Sequence, residues 1–291
     1  MAYSLKFIND DAYLFNETDI AMLTMDEEDS VEVDENDSEC KKLDNSNIIR
    51  NISFDQSEIL HNIMHLYNND EPFDCDITAS ELKFYQKVKG NKYVIPEPKI
   101  LFDVFPKEEK IKKIEPFGRL PLEDNSIGSI VVDLPFVISP KACKSVREGK
   151  KGANLISNRF SSFYPAEELI ETIYWFIKEC YRVVKENGIV VWKMQSTVSG
   201  GRQVWASYFS FLAAQKIGFY VKDEFILQSK SRLISASKIK KQQHARKYTS
   251  TFYVFQKDKK LFEKNSLFKW LEMCEEQDKN GELEGKKWPL K

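Results

Sequence analysis

The alternation of short, mainly apolar runs with helical periodicity most constrains what this chain can fold into. Ser129–Asp133 and Gly188–Gln195 are apolar runs, and Pro165–Lys185 between them has the pattern of a long helix that ends at Asn187-Gly188. Strands of a parallel sheet have such runs, because helices cover both faces of the sheet. The pattern therefore predicts a doubly wound α/β domain with a mostly parallel sheet.

The rest of the chain supplies further elements of the same kind. We predict a helix over Ser57–Tyr67, capped by Ser57, and another over Gly201–Lys216, stopped by Gly218. Ser199-Gly200-Gly201-Arg202 is expected to form the entry of the second helix. The remaining predicted strands are Phe73–Thr78, Lys99–Val104, Phe219–Gln228 and Thr249–Gln256.

The formal net charge of −2 is the sum of two oppositely charged parts. Residues 1–50 hold 14 acidic and 4 basic residues, whereas residues 51–291 hold 31 acidic and 39 basic residues. The acidic part repels itself, so we expect a solvated, partly disordered leader; that it masks the basic body or binds a basic partner is a second hypothesis. We predict a leader at 1–50, one domain at 51–258, and a charged tail with a short helix at 259–291.

Several classes of protein are disfavoured by the sequence. No apolar run approaches the roughly 18–20 residues of a membrane span, and the N-terminus lacks the pattern of a secretory signal. The five cysteines are scattered, which argues against a disulfide scaffold or a zinc site and favours a cytoplasmic location. His61 and His65 are one helical turn apart but have no evident third ligand, so we expect no metal.

The motif with the clearest chemistry is Asp133-Leu134-Pro135-Phe136, directly after a predicted buried strand. Ligands of open α/β sheets bind at the carboxyl ends of strands. An exocyclic amino group needs acceptors for its hydrogens, which the Asp133 carboxylate and the Leu134 carbonyl can supply. Pro135 stiffens the turn, and Phe136 offers a face for a flipped base. A strand that simply ends in a tight turn is the alternative interpretation.

The motif and its surroundings resemble class I S-adenosylmethionine-dependent amino-methyltransferases, namely DNA methylase-like proteins of bacteria and phages of the adenine-N6/cytosine-N4 type. The resemblance covers about residues 57–257. It rests on the order of the blocks SEILHNIMHLYNNDEPFDCDIT, IPEPKILFDVFPK, RLPLEDNSIGSIVVDLPF, SNRFSSF, GIVVWKMQSTVSGG, GFYVKDEFILQSKSRLI and KQQHARKYTSTFYVF. It implies a Rossmann-like sheet of seven strands that includes an antiparallel closing strand.

The resemblance also implies roles for individual residues. Asp76 and Thr78 begin the cofactor loop after the first strand, and Asp103 accepts from the ribose hydroxyls of S-adenosylmethionine. Asp133 and Phe136 receive the base. The loop 137–163 closes over the target, and Gln195 faces the same crevice.

The chain departs from the family pattern at three places. Residues 76–85 contain no glycine, although such loops normally need it for close backbone approach. Leu134 replaces the commoner proline, and Pro116 stands where a cofactor-binding acid is often found, beside Glu115.

Two basic segments flank the predicted crevice. Residues 141–151 carry five basic residues and one acid, and residues 229–247 carry seven basic residues and no acid. Clustered Lys and Arg residues are typical of phosphate contacts, although solvated loops have the same composition. The candidate nucleic-acid contacts are Lys144, Arg147, Arg159, Arg232, Lys240, Lys241, Arg246 and Lys247.

The predicted function is methyl transfer from S-adenosylmethionine to an exocyclic amino group of DNA, with adenine N6 favoured over cytosine N4. One alternative is a catalytically degenerate member of the fold that binds nucleic acid or another partner. Another is an RNA amino-methyltransferase. No separate target-recognition domain is evident, which favours an enzyme with a short or loosely defined site.

Overall fold

The computed structural model describes residues 3–8, 11–16, 48–87, 90–138, 162–230 and 244–282. The chain divides into two compact units, Met1–Ile48 and Ile49–Lys291. The first unit contains an antiparallel hairpin of β1 (Tyr3–Ile8) and β2 (Asp11–Asn16).

The second unit is built around an eight-stranded sheet. Its strands are β3 (Ile52–Ser53), β4 (Cys75–Asp76), β5 (Ile100–Asp103), β6 (Lys112–Lys113), β7 (Ile127–Asp133), β10 (Val184–Met194), β13 (Tyr220–Gln228) and β14 (Thr249–Gln256). Their order is β3-β13-β14-β10-β7-β4-β5-β6, and only β14 runs antiparallel to its neighbours. The doubly wound, mostly parallel fold with an antiparallel strand is therefore confirmed. The sheet has eight strands instead of seven. The two-residue strands β3 and β6, which match none of the individually predicted strands, form its two edges.

The side chains of the apolar runs divide between two cores, because successive residues of a strand point to opposite faces of the sheet. On one face, Ile130 and Val132 of β7 and Trp192 of β10 pack in one buried cluster. On the other face, Val131 and Val191 belong to a second cluster. Because both faces of the sheet are covered, the apolar runs of these strands are continuous and do not alternate with polar residues.

Three helices cover the two faces. They are α1 (Gln56–Tyr67), α2 (Ala166–Val183) and α3 (Ala206–Ile217). Ile59, Leu60 and Ile63 of α1 contribute to the second cluster, whereas apolar residues of α2 and α3 contribute to the first. Parallel strands joined by helices on both faces bring their carboxyl ends to one edge of the sheet, which we call the carboxyl edge.

Two predicted helix boundaries are wrong. The cap of α1 is Asp55, whose carboxylate accepts from the Ser57 amide at 2.8 Å, so Ser57 lies inside the helix. Helix α2 ends at Val183, before Asn187-Gly188, and Val184 already belongs to β10. The β10–β7 register shifts between Val184 and Ile189, and Asn187 has a positive φ of 63° within this irregular stretch.

The predicted helix over Gly201–Lys216 is wrong in its first part. Strands β11 (Thr197–Ser199) and β12 (Arg202–Val204) form a hairpin there, and α3 begins only at Ala206. Gly200 and Gly201 have φ values of 56° and 75°, as a two-residue type I′ hairpin turn requires. Ser199–Arg202 is consequently a hairpin turn and not a helix entry.

Four short elements complete the described chain. Strands β8 (Val137–Ile138) and β9 (Ser162–Phe163) pair in parallel, and the tail forms α4 (Lys259–Asn265) and α5 (Leu267–Lys279). Within these described ranges, no helix is long and apolar enough to cross a membrane. Cys75, Cys180 and Cys274 are free thiols.

Candidate active site

The sheet reverses its direction of winding between β4 and β7. The chain proceeds from β4 to β5 on one side, and β7 lies on the other side of β4. Such a switch point leaves a crevice at the carboxyl ends of the strands, where ligands of this fold class bind. Asp76 ends β4 and Asp133 ends β7, so both acids lie at the switch point.

Asp76 is a buried carboxylate held by its own loop. Its Oδ1 accepts from the amide and the hydroxyl of Thr78 at 2.7 and 3.2 Å, and its Oδ2 accepts from the Tyr85 hydroxyl at 2.7 Å. Only 2% of the residue is exposed. Burial raises the pKa of the Asp76 carboxyl to about 7, against the opposing effect of these hydrogen bonds.

Thr78 connects the first loop to the substrate motif. Its hydroxyl donates to Asp76 and at the same time accepts from the Asp133 amide at 2.7 Å. The loop after β4 and the turn after β7 are therefore joined by one short chain of hydrogen bonds. Two motifs that are 55 residues apart in sequence are held in direct contact.

Asp133 forms an ion pair that the sequence analysis missed. Its Oδ2 lies 2.9 Å from Nζ of Lys193, which is the residue opposite Asp133 in the β7–β10 register. The Lys193 ammonium lies 4.9 and 5.6 Å from the ring centroids of Phe84 and Phe252. The Lys193 and Asp133 side chains are 14% and 31% exposed respectively, so this charge pair is partly shielded from water.

The rest of the tetrapeptide is divided between the core and the crevice. Leu134 is 4% exposed and belongs to the first buried cluster, and the partly buried Phe136 packs against the same cluster. Pro135 is half-buried. The buried side chain of Leu134 therefore anchors the turn. The backbone carbonyl group is the part of Leu134 that is left for contact with a substrate.

The glycine-free first loop adopts left-handed backbone at two ordinary residues. Ser80 and Leu82 have φ values of 46° and 56°, a region that glycine enters without strain. Leu82 and Ala79 are buried in a small cluster with Leu101 and Ile111. Packing of the loop onto β5 thus holds a conformation that glycine would adopt without strain.

Asp103 ends β5 and anchors the same loop. Its two carboxylate oxygens accept from the amides of Ser80 and Phe105, at 2.9 and 2.6 Å. Burial raises the pKa of the Asp103 carboxyl above its usual range. Phe105 beside it is 44% exposed, whereas Glu115 pairs with Lys113 at 2.8 Å.

Most predicted nucleic-acid contacts lie outside the described residues. The two described members of this set lie shortly before β14: Arg246 is exposed and Lys247 is half-buried. Gln195, which follows β10, is 3% exposed and donates to the Lys247 carbonyl at 3.2 Å. Of the loop 137–163, only β8 and β9 are described. The residues outside the described ranges are Lys144, Arg147, Arg159, Arg232, Lys240 and Lys241.

The described histidines lie apart from these acids. His65 pairs with Asp70 at 2.9 Å, His61 contacts the Tyr93 ring, and His244 lies 2.7 Å from the Gly201 carbonyl. In the part of the chain that the structure describes, no group of His, Cys, Asp and Glu residues is arranged to hold a metal ion.

A sheet of this topology with acids at the ends of β4, β5 and β7 defines a Rossmann-like methyltransferase fold. Within that class, the chain belongs to the DNA methylase family of N6 and N4 amino-methyltransferases, whose profile matches residues 127–290. That range contains Asp133, Lys193 and the hairpin of β11 and β12.

A comparison with solved structures finds partial matches to DNA methyltransferases. A candidate DNA modification methylase from Thermus thermophilus is 12% identical, with 47% of each chain covered and a TM-score of 0.28. The PvuII cytosine-N4-specific DNA methyltransferase is 18% identical, with 48% of this chain and 45% of that chain covered and a TM-score of 0.31. The chain thus matches less than half the length of either protein.

A third structure has higher coverage. It is a candidate methyltransferase of Haloferax volcanii in complex with the Trm112 methyltransferase activator, with 11% identity and a TM-score of 0.35. The match covers 65% of this chain and 84% of that chain. A search of the curated proteins found no relative.

Proposed function

We propose that this protein transfers a methyl group from S-adenosylmethionine to an exocyclic amino group of DNA, with adenine N6 as the acceptor. The observation that carries the proposal is the direct contact of the Asp133 turn with the first loop through Thr78. A base-binding acid and a cofactor loop must meet at one point for in-line transfer. Membership of the DNA methylase family supports DNA as the substrate.

Asp133 and Leu134 supply acceptors for the amino hydrogens. Lys193 donates to Oδ2 of Asp133, and no described residue donates to Oδ1 of Asp133. Oδ1 and the Leu134 carbonyl can therefore each accept one amino hydrogen, which turns the nitrogen lone pair toward the methyl donor. Phe136 is only partly buried and can contact the face of the base.

Lys193 fixes the orientation of Asp133. Its ammonium group donates to Oδ2 of Asp133 at 2.9 Å, which holds that side of the carboxyl group in place. Its contacts with Phe84 and Phe252 restrict the ammonium to one side of Asp133. We assign Lys193 a positioning role in the reaction.

The residues at β5 fit the cofactor. Each oxygen of Asp103 accepts one backbone amide and retains a second lone pair, so both can also accept a ribose hydroxyl. The exposed ring of Phe105 is available to an adenine face. When bound, S-adenosylmethionine supplies a methyl group activated by its positive sulfur. The protein residues then need only to orient the acceptor nitrogen and exclude water.

A second candidate function is a degenerate methyltransferase fold that binds nucleic acid without catalysis. The first loop favours it, because the buried Asp76 already accepts twice from Thr78 through Oδ1 and once from Tyr85 through Oδ2. A cleft of about 610 Å³, lined by Phe54, Lys83, Tyr93 and Lys230 among others, includes none of the three site acids. We place either activity in the cytoplasm, where nucleic acid and S-adenosylmethionine are available.

Calorimetric titration with S-adenosylmethionine separates the two candidates. Saturable binding is the expected result, and no binding up to millimolar cofactor would overturn the enzyme proposal. If the cofactor binds, digestion of DNA and RNA from expressing cells followed by measurement of N6-methyladenine and N4-methylcytosine identifies the substrate. Methylation of RNA alone would contradict the assignment to DNA.

Asp133→Ala tests the role of the base-binding acid. We expect methyl transfer to fall at least about 100-fold, because the amino group loses its charged acceptor, while cofactor affinity stays nearly unchanged. Asp70→Ala removes an exposed carboxylate, 63% accessible, and serves as the control. Equal loss of cofactor binding and activity in Asp133→Ala would show that the assignment to the base is wrong.

A further inference from the structure

An exposed aromatic surface lies beside the candidate site. Trp205 and Tyr208 are 52% and 61% exposed, and their ring centroids are 5.4 Å apart in an edge-on arrangement. Nζ of Lys247 lies 5.0 Å from the Trp205 ring. We call Trp205, Tyr208 and Lys247 the Trp205 platform. Neighbouring exposed aromatic rings of this kind are typical of a binding surface.

The platform is built from two segments at the carboxyl edge of the sheet. One is the β11–β12 hairpin with the start of α3, and the other is residues 244–248, which lead into β14. His244 lies at hydrogen-bond distance from the Gly201 carbonyl, and Gln195 donates to the Lys247 carbonyl. The two segments are thereby joined to each other in the folded protein.

The platform is close to the candidate site along the sheet. Strand β10 ends at Met194, directly after the Lys193 that pairs with Asp133. Gln195 follows at once and contacts the platform through Lys247. A ligand extending from Asp133 across the end of β10 would therefore meet the platform next.

The charge of these segments indicates the kind of ligand that they suit. Residues 195–209 and 244–251 contain Arg202, Arg246 and Lys247 and no Asp or Glu. Arg202 and Arg246 are exposed. Aromatic faces together with cations and no acid match single-stranded nucleic acid, whose bases stack and whose phosphates attract Lys and Arg.

We infer that Trp205 and Tyr208 stack on unpaired bases next to the target nucleotide, while Arg202, Arg246 and Lys247 contact the adjoining phosphates. This inference rests on the proposed function and specifies the form of its substrate. It predicts that single-stranded DNA, or duplex DNA with unpaired bases beside the target, binds more tightly than a fully paired duplex. Every base has a π-face, so the preference is for unpaired structure and not for sequence.

Trp205→Ala in the full-length protein tests the stacking. The probes are a fluorescein-labelled single-stranded oligonucleotide and the corresponding duplex, followed by fluorescence anisotropy. We expect the affinity for the single strand to fall on the order of tenfold in Trp205→Ala and to be largely retained in Trp205→Phe. Trp270→Ala, which removes a 47% exposed tryptophan from α5, should leave the affinity unchanged.

Lys247→Ala separates stacking from phosphate contact. It should weaken single-strand and duplex binding alike and lower the slope of log affinity against log salt by about one. Trp205→Ala should leave that slope unchanged. Thermal unfolding of each variant checks that the fold is intact.

The outcomes distinguish this inference from the proposed function. If the wild-type protein methylates DNA and Trp205→Ala binds and methylates equally well, the stacking role is wrong and the proposed function stands. If the wild-type protein neither binds nor methylates DNA, both are overturned. If Trp205→Ala changes only self-association in sedimentation, the platform contacts a second copy of the chain and the inference is wrong.

Discussion

Two acids at the switch point are stabilised by different means. Asp133 has a cation, Lys193, whereas Asp76 has only the neutral donors of Thr78 and Tyr85. Neutral donors offset only part of the cost of burying a carboxylate. Burial therefore raises the pKa of Asp76 to about 7, against the opposing effect of its hydrogen bonds.

This environment predicts a pH-dependent stability that Asp76→Asn removes. An acid whose pKa is higher in the folded than in the unfolded state, where it is about 3.9, favours folding when protonated. The contribution of Asp76 to the free energy of unfolding is complete below about pH 4 and is lost as the pH rises through about 7. Between pH 5 and pH 8, the unfolding free energy of Asp76→Asn should therefore gain on the order of 2 kcal/mol relative to wild type.

Urea unfolding at the two pH values measures this gain. Asn can keep the same contacts, because its oxygen accepts from the Thr78 amide and its amino group can donate to Tyr85. Glu171→Gln on the exposed face of α2 is the control for removing one acid. If Asp76→Asn and wild type change in parallel with pH, then Asp76 is ionised in the folded protein throughout.

At the level of single residues, the sequence predicts where the acids lie but not what pairs with them. The tetrapeptide motif at the end of a predicted strand indicates Asp133, and the family resemblance implies the roles of Asp76 and Asp103. Lys193 was missed, because its role depends on which residue lies opposite in a neighbouring strand. A single lysine inside the apolar run of β10 is the signal that could have indicated a buried ion pair.

At the level of elements, the strands were predicted more accurately than the helix boundaries. Thr249–Gln256 was predicted with the bounds that the structure has, because its composition is strand-like throughout. The predicted helix over Gly201–Lys216 wrongly included β12, the second strand of the β11–β12 hairpin. Each of its strands has only three residues, too few to show a period, and the turn signal Gly200-Gly201 was interpreted as a helix entry.

A buried arginine holds the segment before β7 against α2. Arg182 donates to Glu179, Asp124 and the carbonyls of Leu120 and Leu122, at distances of 2.7–3.3 Å. Its side chain is 16% exposed and that of Glu179 is 7% exposed. This single side chain therefore links the loop at 120–124 to the last turn of α2.

Arg182→Ala should destabilise the protein by about 3 kcal/mol or more, because Glu179 is left as a buried charge without its partner. Arg119 is the matched control, since its guanidinium contacts the same Asp124 oxygen at 2.8 Å but is 68% exposed. Arg119→Ala should cost less than about 1 kcal/mol. Chemical denaturation measures both values, and similar small losses would show that the loop is held by other contacts.

At the level of the whole molecule, the chain separates its charges by region. Residues 17–47 contain twelve acidic and two basic residues, whereas residues 51–291 have a net charge of +8. A near-neutral total is therefore compatible with binding to a polyanion through the basic part. Residues 17–47 lie outside the described ranges, and their charge is known from the sequence alone.

Deleting residues 17–47 should strengthen DNA binding at low salt. A segment with a net charge of −10 competes with phosphates for Lys and Arg side chains, and its local concentration near the basic part is high because the two are covalently linked. We expect the dissociation constant to fall by roughly threefold to tenfold at about 50 mM salt, and the difference to vanish near about 0.5 M salt, where charges are screened within about 5 Å.

A variant of full length with these acids changed to Asn and Gln should bind as the deletion does, because it lacks the charge but keeps the chain. If the deletion binds more tightly and the neutral variant does not, the segment hinders DNA through its bulk; if neither changes the affinity, it is a solvated tail.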